Sequence, residues 1–423
     1  MALTRLDNGI TVATDHMAHV DSAALGVWVD AGARSEHSGE HGVAHFMEHM
    51  AFKGTRRRTA REISESIEGV GGDINAATSV ETTAYHARVL AEDVPLALDL
   101  LADIVSDPLF AEPDIVRERN VILQEIGAAE DVPEDRAFDA LPETAYRAQP
   151  LGRRILGTRP SVSAIGGATL RDFFARNYRT GAMTVAAAGA IDHDRFVATV
   201  EEAFASMPKG ASDRGAQAAY TGGAYSEEAH SAECQWILGF EGVPAAADAA
   251  VTAQLSAMVL GGGMSSRLFQ ALREDRGLVY DTSAFHWAFA DSGLFAIHFA
   301  TEPASVDEAA GVVAEEMVSV AASLEEVELD RARAQLRAGL LMSRESCAAR
   351  MAVVARNAMV HGRTISKEER IAALERVTTS DVRDFLAALM ASRPTVVTVG
   401  ADADATLGLV NGRFGAADVR GAA

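Results

Sequence analysis

A helix pattern followed by a strand pattern occurs twice in this chain, half a chain length apart. The helical segments are TLRDFF at 169–174 and DVRDFL at 381–386, and the strands are TVAAAGA at 184–190 and TVVTVGA at 395–401. The offset is 212 residues for the helix and 211 for the strand, in a chain of 423 residues. One such match could arise by chance, but a pair at a constant offset favours duplication. Two homologous domains are therefore predicted.

The boundary between the two domains is predicted at residues 208–224. This segment has glycines at 210, 215, 222 and 223 and shows no hydrophobic periodicity. We expect an N-terminal domain at 1–210 and a C-terminal domain at 222–423. Alternating strand patterns and amphipathic helix patterns mix in both halves, which is typical of the α+β class. In the first half, residues 78–89 alternate like one continuous strand.

The chain is acidic and rich in apolar residues. Its formal net charge is −22 at pH 7, and 48% of its residues are hydrophobic. The apolar content suffices for large cores, and a chain of 423 residues suits two or more domains. The charge argues against a general binder of nucleic acids or anionic membranes. It either serves solubility alone or favours basic partners, and the sequence leaves both readings open.

Cysteine usage and the N-terminus point to a reducing compartment. Cys234 and Cys347 show no Cys-x-x-Cys spacing, so a disulfide framework is not expected. The first residues lack the basic segment and apolar run of a secretory signal. No apolar run approaches the ~18 residues of a membrane span. We therefore expect a cytoplasmic location, with no signal peptide and no transmembrane segment; the alternative is a processed mature form.

The stretch HFMEH from His45 to His49 carries the strongest chemical signal. Residues four apart lie on one face of a helix, so both imidazoles can reach one metal ion. Glu48 lies close to the same face. The order H-x-x-E-H inverts the H-E-x-x-H motif of zinc peptidases. At the repeat offset the second half has glycines at 261–263, so only one copy of the repeat carries the motif.

Two histidines do not complete a catalytic zinc site, which uses three protein ligands and a water molecule. A helix predicted at 114–130 offers Glu118 and Glu125, which are seven residues apart and share one face. Taken alone, such a pair is typical of a solvated surface, but the upstream motif lacks a carboxylate. His41, one turn before His45, is not expected as a ligand because a fourth protein group would close the site.

The motif and the segment ERNVILQE that ends at Glu125, 80 residues after His45, resemble the M16 (pitrilysin-like) metallopeptidases. The resemblance spans most of the chain and implies a peptide-bond hydrolase with one zinc ion per chain. It implies that Glu125 is the third ligand beside His45 and His49. It further implies that Glu48 is the general base and that Glu118 supports a ligand histidine through a hydrogen bond.

Two further segments resemble substrate-binding parts of the family. The segment around Asn75 and Ala76 resembles an exposed edge strand to which a peptide adds as an extra strand; the alternative is an ordinary internal strand. In the second half, Arg273 and Tyr280 resemble a pair that the family brings from its C-terminal half to the active site. Both are suitable donors for a substrate carbonyl and a developing oxyanion. The alternative is a surface arginine and a core tyrosine.

The resemblance also implies an architecture. Each domain is expected to be a mostly antiparallel sheet packed with helices, and the two domains together are expected to form one bowl of a clamshell. The length matches the short subfamily, which includes mitochondrial processing peptidase subunits and bacterial relatives. Since one bowl cannot close on itself, a homodimer is expected, with a heterodimer of related chains as the alternative.

The expected function is a zinc endopeptidase that acts on unfolded peptides or targeting segments. The acidic charge would suit basic peptides. A maturation peptidase for one specific peptide is not separable from this function by sequence. A non-catalytic assembly subunit is the alternative from another class, but such subunits usually lose the metal residues, which this chain retains. Neither a nucleic acid nor a membrane is expected as a partner.

Overall fold

Eleven strands form within the part of the chain that the computed structural model describes, namely residues 1–228, 233–401 and Val410. They are β1 (Ala2–Arg5), β2 (Thr11–His16), β3 (Ser22–Val29), β4 (Asp73–Thr78), β5 (Thr83–Leu90), β6 (Met183–Gly189), β7 (Gly223–Glu227), β8 (Cys234–Glu241), β9 (Val279–Ala288), β10 (Gly293–Thr301) and β11 (Thr395–Val399).

Fourteen α-helices accompany the strands over the same described ranges. They are α1 (Val43–Ala51), α2 (Ala60–Glu68), α3 (Val94–Ser106), α4 (Glu112–Asp131), α5 (Pro133–Ala145), α6 (Arg159–Ala164), α7 (Gly167–Asn177), α8 (His193–Ala203), α9 (Ala250–Gly261), α10 (Val306–Ser323), α11 (Glu326–Ser343), α12 (Cys347–His361), α13 (Lys367–Arg376) and α14 (Thr379–Ala391). No helix in the described ranges is both long and apolar enough to cross a membrane.

The chain forms two compact units, and neither is continuous in sequence. Unit 1 comprises Met1–Gly127, Arg153–Ala216 and Leu341–Ser366, and unit 2 comprises Ala128–Gly152, Gln217–Leu340 and Lys367–Ala423. Within unit 2, residues 229–232, 402–409 and 411–423 lie outside the described residues.

The sheets of the two units share one topology. Unit 1 has the strand order β1-β2-β6-β3-β5-β4, and unit 2 has the order β7-β11-β8-β10-β9. Unit 1 has one extra strand, β1. Its remaining strands, in the order β2, β6, β3, β5 and β4, correspond to β7, β11, β8, β10 and β9 of unit 2. In both sheets one pair is parallel, β2 with β6 and β7 with β11, and every other pair is antiparallel. The expected α+β fold of two homologous, mostly antiparallel domains is confirmed.

The repeated helix and strand of the sequence occupy equivalent places. Helix α7 leads into β6, which lies between β2 and β3, and α14 leads into β11, which lies between β7 and β8. The connecting strand is inserted at the centre of each sheet, where both neighbours cover its backbone. Its side chains are buried throughout, which explains the apolar, β-branched or alanine-rich sequences of both strands.

One helix from each half of the chain packs on the sheet of the other half. Helix α5 belongs to unit 2 and buries Leu141 against β8 and β11. Helix α12 belongs to unit 1, where Met351, Val354 and Ala355 pack on alanines of β2, β3 and β6. The contiguous division at 1–210 and 222–423 therefore differs from the observed units at these two helices. An amphipathic pattern indicates that a helix buries one face, but not which sheet receives it.

The hairpin formed by β4 and β5 corrects one local prediction. Residues 78–89 do not form one strand, because a tight turn at 79–82 separates β4 from β5. Ser79 donates its N–H to the Thr82 carbonyl at 2.8 Å, and the Ser79 hydroxyl accepts the Thr82 N–H at 3.0 Å. Serine closes such turns through its side chain, a signal that the alternation of apolar residues concealed.

Candidate metal centre

Packing and hydrogen bonds fix the backbone of helix α1, whose polar face carries His45, Glu48 and His49. Its apolar face, which includes Phe46 and Met47, is fully buried in the core of unit 1. The helix begins after Gly42, whose φ of 90° suits glycine, and a Cβ there would lie 2.8 Å from the Leu156 carbonyl oxygen. The buried Glu36 carboxylate accepts the N–H groups of Gly42 and Ala44 at 3.0 Å each. These contacts fix the start of the helix two residues before His45.

Three side chains of α1 and α4 converge on one point. The Nε2 atoms of His45 and His49 lie 3.8 and 3.6 Å from the same oxygen, Oε2 of Glu125. The two imidazole centroids are 4.7 Å apart at an interplanar angle of 72°. One ligand atom from each residue lies within 4.8 Å of the others, and this is the one group of such residues within the described ranges that could hold a metal ion.

The three residues fit a zinc ion on two grounds. Ligand atoms bonded to tetrahedral zinc at about 2.1 Å stand roughly 3.4 Å apart, close to the two distances at Glu125. In addition, Oε2 of Glu125 is buried and has no hydrogen-bond partner among the described residues. A buried carboxylate oxygen without a donor is costly, and a cation at this point would remove that cost.

The protonation of His45 also suits a ligand. Burial, followed by the nearby His49, lowers the pKa of the His45 imidazole from 6.5 to about 4. Its ring is therefore neutral at physiological pH, and a neutral imidazole nitrogen is the form that binds a metal. His45 thus carries a lone pair at neutral pH without competition from a proton.

A chain of polar contacts orients His49. Its Nδ1 lies 3.1 Å from Oε2 of Glu118, and Nζ of Lys53 lies 2.8 Å from Oε1 of the same carboxylate. A carboxylate paired with an ammonium group accepts hydrogen bonds, so Nδ1 of His49 carries the proton and Nε2 keeps its lone pair toward Glu125. The structure thus places Glu118 beside the Nδ1 atom of His49, where it orients the ring.

Glu48 points to a different neighbour from the two histidines. Its Oε2 accepts a hydrogen bond from the Thr78 hydroxyl at 2.5 Å. Thr78 is the last residue of β4, so this bond links α1 to the edge of the sheet. Sequence reasoning found Glu48 but missed both Thr78 and Lys53. The signal for Lys53 was present, because it is a rare lysine in an arginine-rich chain and lies one helical turn after His49.

Strand β4 is an edge strand, and Asn75 and Ala76 lie on it. The turn bond from Ser79 to Thr82 fixes the alternation of the ladder, since hydrogen-bonded and non-bonded positions alternate in antiparallel pairs. It follows that Ala76 and Thr78 direct their backbone groups to the open edge. The Ala76 N–H donates to the Asn75 side-chain oxygen at 2.8 Å. The alternative of an internal strand is therefore wrong for this segment.

Arg273 and Tyr280 lie together in unit 2. The Arg273 guanidinium stands 4.6 Å above the centroid of the Tyr280 ring and donates to the Tyr280 carbonyl at 2.7 Å. The tyrosine is 79% exposed, so the alternative of a core tyrosine is wrong. Arg273 lies in the last turn of a short π-helix, Phe269–Glu274, and π-helical turns occur frequently at functional sites.

Unit 2 has no room for a metal site at the equivalent place. Helix α9 follows β8 as α1 follows β3, and the repeat offset pairs His49 with Gly261. A Cβ at Gly261 would lie 2.5 Å from the Ala284 nitrogen and 2.8 Å from the Ser283 carbonyl carbon of β9. The helix packs against the strand backbone so closely that only glycine fits. The glycine-rich segment is therefore explained by packing at its first residue.

Comparisons with known proteins agree with this fold and site. Residues 11–159 match the insulinase family (peptidase family M16), and residues 165–336 match the peptidase M16 inactive domain. A protein of Rickettsia felis described as an uncharacterized zinc protease is 36% identical over 399 residues, which cover 94% of this chain and 97% of the relative. The mitochondrial-processing peptidase subunit beta of Saccharomyces cerevisiae is 32% identical over 400 residues, covering 90% and 86%.

A solved structure shows the same fold. The crystal structure of a peptidase M16 inactive domain from Pseudomonas fluorescens superposes with a TM-score of 0.86 at 21% identity, covering 95% of this chain and 98% of that one. The two family matches span most of the chain, and the relatives align over nearly all of it. This chain therefore belongs to peptidase family M16, the family of insulinase.

Proposed function

We propose that this protein is a zinc-dependent endopeptidase that hydrolyses peptide bonds of unfolded peptides or targeting segments. One observation carries the proposal: the donor atoms of His45, His49 and Glu125 converge beside Glu48 and an open sheet edge. A purely structural zinc site would need a fourth protein ligand. Three ligands leave one position open for water or substrate. The relatives named zinc proteases support the same reading.

Each residue of the site has a distinct role in the proposed hydrolysis. A bound zinc ion would lower the pKa of a water molecule and polarise the peptide carbonyl. Glu48 accepts the proton of the attacking water and delivers it to the leaving amine. Glu118 holds His49 in the tautomer that ligates, and Lys53 holds Glu118. The first turn of α1, fixed by buried contacts, keeps these groups in register.

The substrate is proposed to bind as an added strand on β4. The backbone groups of Ala76 and Thr78 face the open edge, and main-chain pairing there is indifferent to side-chain identity. A substrate carbonyl would replace the Asn75 side chain as acceptor for the Ala76 N–H. Arg273 and Tyr280 are proposed as donors to the substrate carbonyl and developing oxyanion. The net charge of −22 favours basic peptides.

A homodimer is the proposed assembly, with one zinc ion per chain. The chain carries both the metal-binding residues and the arginine–tyrosine pair, so it needs no second type of subunit to supply either. The alternative is a heterodimer in which this chain is a non-catalytic partner. The similarity to a subunit of a mitochondrial processing peptidase is the observation that favours this alternative. The complete set of His45, His49, Glu48 and Glu125 favours the enzyme.

The test uses the purified full-length chain with its metal content measured by mass spectrometry. Unstructured peptides, including a charge-varied series, are incubated with the protein, with and without 1,10-phenanthroline, and cut sites are mapped. The proposal expects cleavage inside the peptides, its loss with the chelator and its return with zinc. Stoichiometric zinc without cleavage of any peptide would instead favour the non-catalytic partner. Elution mass by light scattering tests the dimer.

A further inference from the structure

The contact between Thr78 and Glu48 joins two parts of the proposed reaction. Thr78 ends β4, the open edge strand, while Glu48 lies on α1 between the two histidines. The hydroxyl-to-carboxylate distance is 2.5 Å, which is at the short end for an O–H···O⁻ bond. Since a carboxylate has no proton to give, the threonine hydroxyl is the donor.

The position of Thr78 on its strand makes this contact specific. Side chains alternate along a strand, so Thr78 shares one face with Ala76 and Ile74. Ile74 and Ala76 pack against the core that contains the buried residues of α1. Thr78 continues the row toward the polar face of α1 and meets Glu48. Its own backbone groups, in contrast, face the open edge, where a peptide would pair.

A glutamate carboxylate needs such a partner to hold one orientation. Its terminal torsion has a broad, twofold preference, so the rotamer alone does not fix the plane of the two oxygens. A hydrogen bond from Thr78 fixes Oε2 and leaves Oε1 of Glu48 available to a water molecule. Thr78 belongs to the strand on which a peptide would pair. Its backbone would therefore take part in peptide pairing, while its hydroxyl orients the Glu48 carboxylate.

We propose that Thr78 is a positioning residue that orients the Glu48 carboxylate and couples peptide pairing on β4 to base catalysis. The inference rests on the proposed peptidase function and on the role of Glu48 as base. Thr78 is not proposed to contact the scissile bond. It acts through Glu48, and its hydroxyl is the group that matters.

Steady-state kinetics with Thr78→Val, Thr78→Ser and Thr78→Ala test the proposal. Valine keeps the shape and removes the donor, and serine keeps the donor. Loss of a hydrogen bond to a charged group predicts a kcat roughly tenfold to hundredfold lower in the valine and alanine variants, with KM changed by less than about threefold. Serine should restore kcat to within about threefold. Thr82→Val, in the turn of the same hairpin, is the control and should keep both constants.

Two further measurements separate positioning from a structural role. Peptide affinity of the zinc-free protein, measured by fluorescence anisotropy, should stay within about twofold in Thr78→Val, because the hydroxyl is not a binding group. In a Glu48→Gln background the valine substitution should have no further effect on kcat, because the two residues act as a unit. Thermal unfolding of each variant establishes that it is folded.

The outcomes distinguish this inference from the proposed function. An active wild type with normal kcat in folded Thr78→Val overturns the inference alone. Equal losses in the serine and valine variants, or a loss that persists in the Glu48→Gln background, overturn it as well. A wild type that cleaves no peptide with zinc bound overturns the proposed function itself. Rescue by serine, with peptide affinity unchanged, supports the role of the hydroxyl.

Discussion

Units 1 and 2 place a helix at the same point of the same topology but use it differently. In unit 1, two histidines and Glu48 stand on the polar face of α1, and the Glu48 carboxylate meets the sheet at Thr78. In unit 2, α9 lies so close to β9 that a Cβ at Gly261 would approach the strand backbone to 2.5 Å. A shared fold therefore sets where a metal site can form. The distance between the helix and the neighbouring strand decides whether ligand side chains have room there.

The same comparison shows that a metal site at this place in unit 2 would need more than one substitution. A histidine at the position of Gly261 would have to displace the backbone at Ser283 and Ala284, not merely another side chain. Backbone in a paired strand moves at the cost of its hydrogen bonds. The two units have therefore diverged in packing as well as in sequence.

The largest effect is expected at Glu48 in unit 1. Glu48→Gln keeps the shape of the side chain but removes the base, so turnover should fall at least ~10³-fold while zinc stays bound. Peptide cleavage and metal content are measured on the same preparation. Glu68→Gln, at an exposed position that ends α2, is the matched control. Near-normal turnover in Glu48→Gln would remove Glu48 from the mechanism.

A smaller effect on metal affinity is expected at Lys53. Lys53→Met leaves Glu118 without its ammonium partner, so His49 is less firmly oriented and zinc should bind roughly tenfold to hundredfold more weakly. Competition with a chromogenic chelator measures the Kd. Lys53→Arg should recover much of the affinity. Lys209→Met, which changes an exposed lysine, should leave the Kd at the wild-type value; an equal loss there would point to a general effect of charge.

The packing side of the comparison is tested at Gly261. Gly261→Ala forces a methyl group against the backbone of β9 and should lower the free energy of unfolding of the chain by about 1–3 kcal/mol. Gly339→Ala, where a Cβ meets no atom within 4 Å beyond its own helix among the described residues, should raise stability by up to about 1 kcal/mol. Both are measured by urea unfolding. A neutral Gly261→Ala would show that α9 can move away from β9.

The contribution of unit 2 to the reaction is tested at Tyr280, with the smallest expected change. Tyr280→Phe keeps the ring under the Arg273 guanidinium and removes only the hydroxyl. Loss of one donor to a developing charge should lower kcat about tenfold, and more than it raises KM. Tyr225→Phe, on β7, serves as the control. An unchanged kcat would assign Tyr280 a structural role and limit the chemistry to unit 1.

Local periodicity accounts for much of what the sequence predicts. Two histidines four apart must share a helix face, and two glutamates seven apart must share another. The repeat at a constant offset predicted two related sheets, which the strand orders confirm. These features depend on short stretches of chain, so their geometry follows from helix and strand periods alone.

The remaining features depend on contacts between distant residues. The bonds from Thr78 to Glu48 and from Lys53 to Glu118 join positions 30 and 65 residues apart, and no local pattern encodes them. Helices α5 and α12 each pack on the sheet of the other half of the chain, and this packing likewise depends on tertiary contacts. The tight fit of Gly261 on β9 could be suspected from a glycine run, but its cause is visible only once the strand is in place.

The zinc content of Glu125→Ala tests the central claim most directly, namely that unit 1 holds the metal through two histidines of α1 and one glutamate of α4. Metal per chain is measured by mass spectrometry after dialysis against a weak chelator, with Glu130→Ala on the same helix as the control. One zinc ion per chain is predicted for the wild type and the control, and less than about a tenth of that for Glu125→Ala. Stoichiometric zinc in folded Glu125→Ala would contradict the claim and place the third ligand elsewhere.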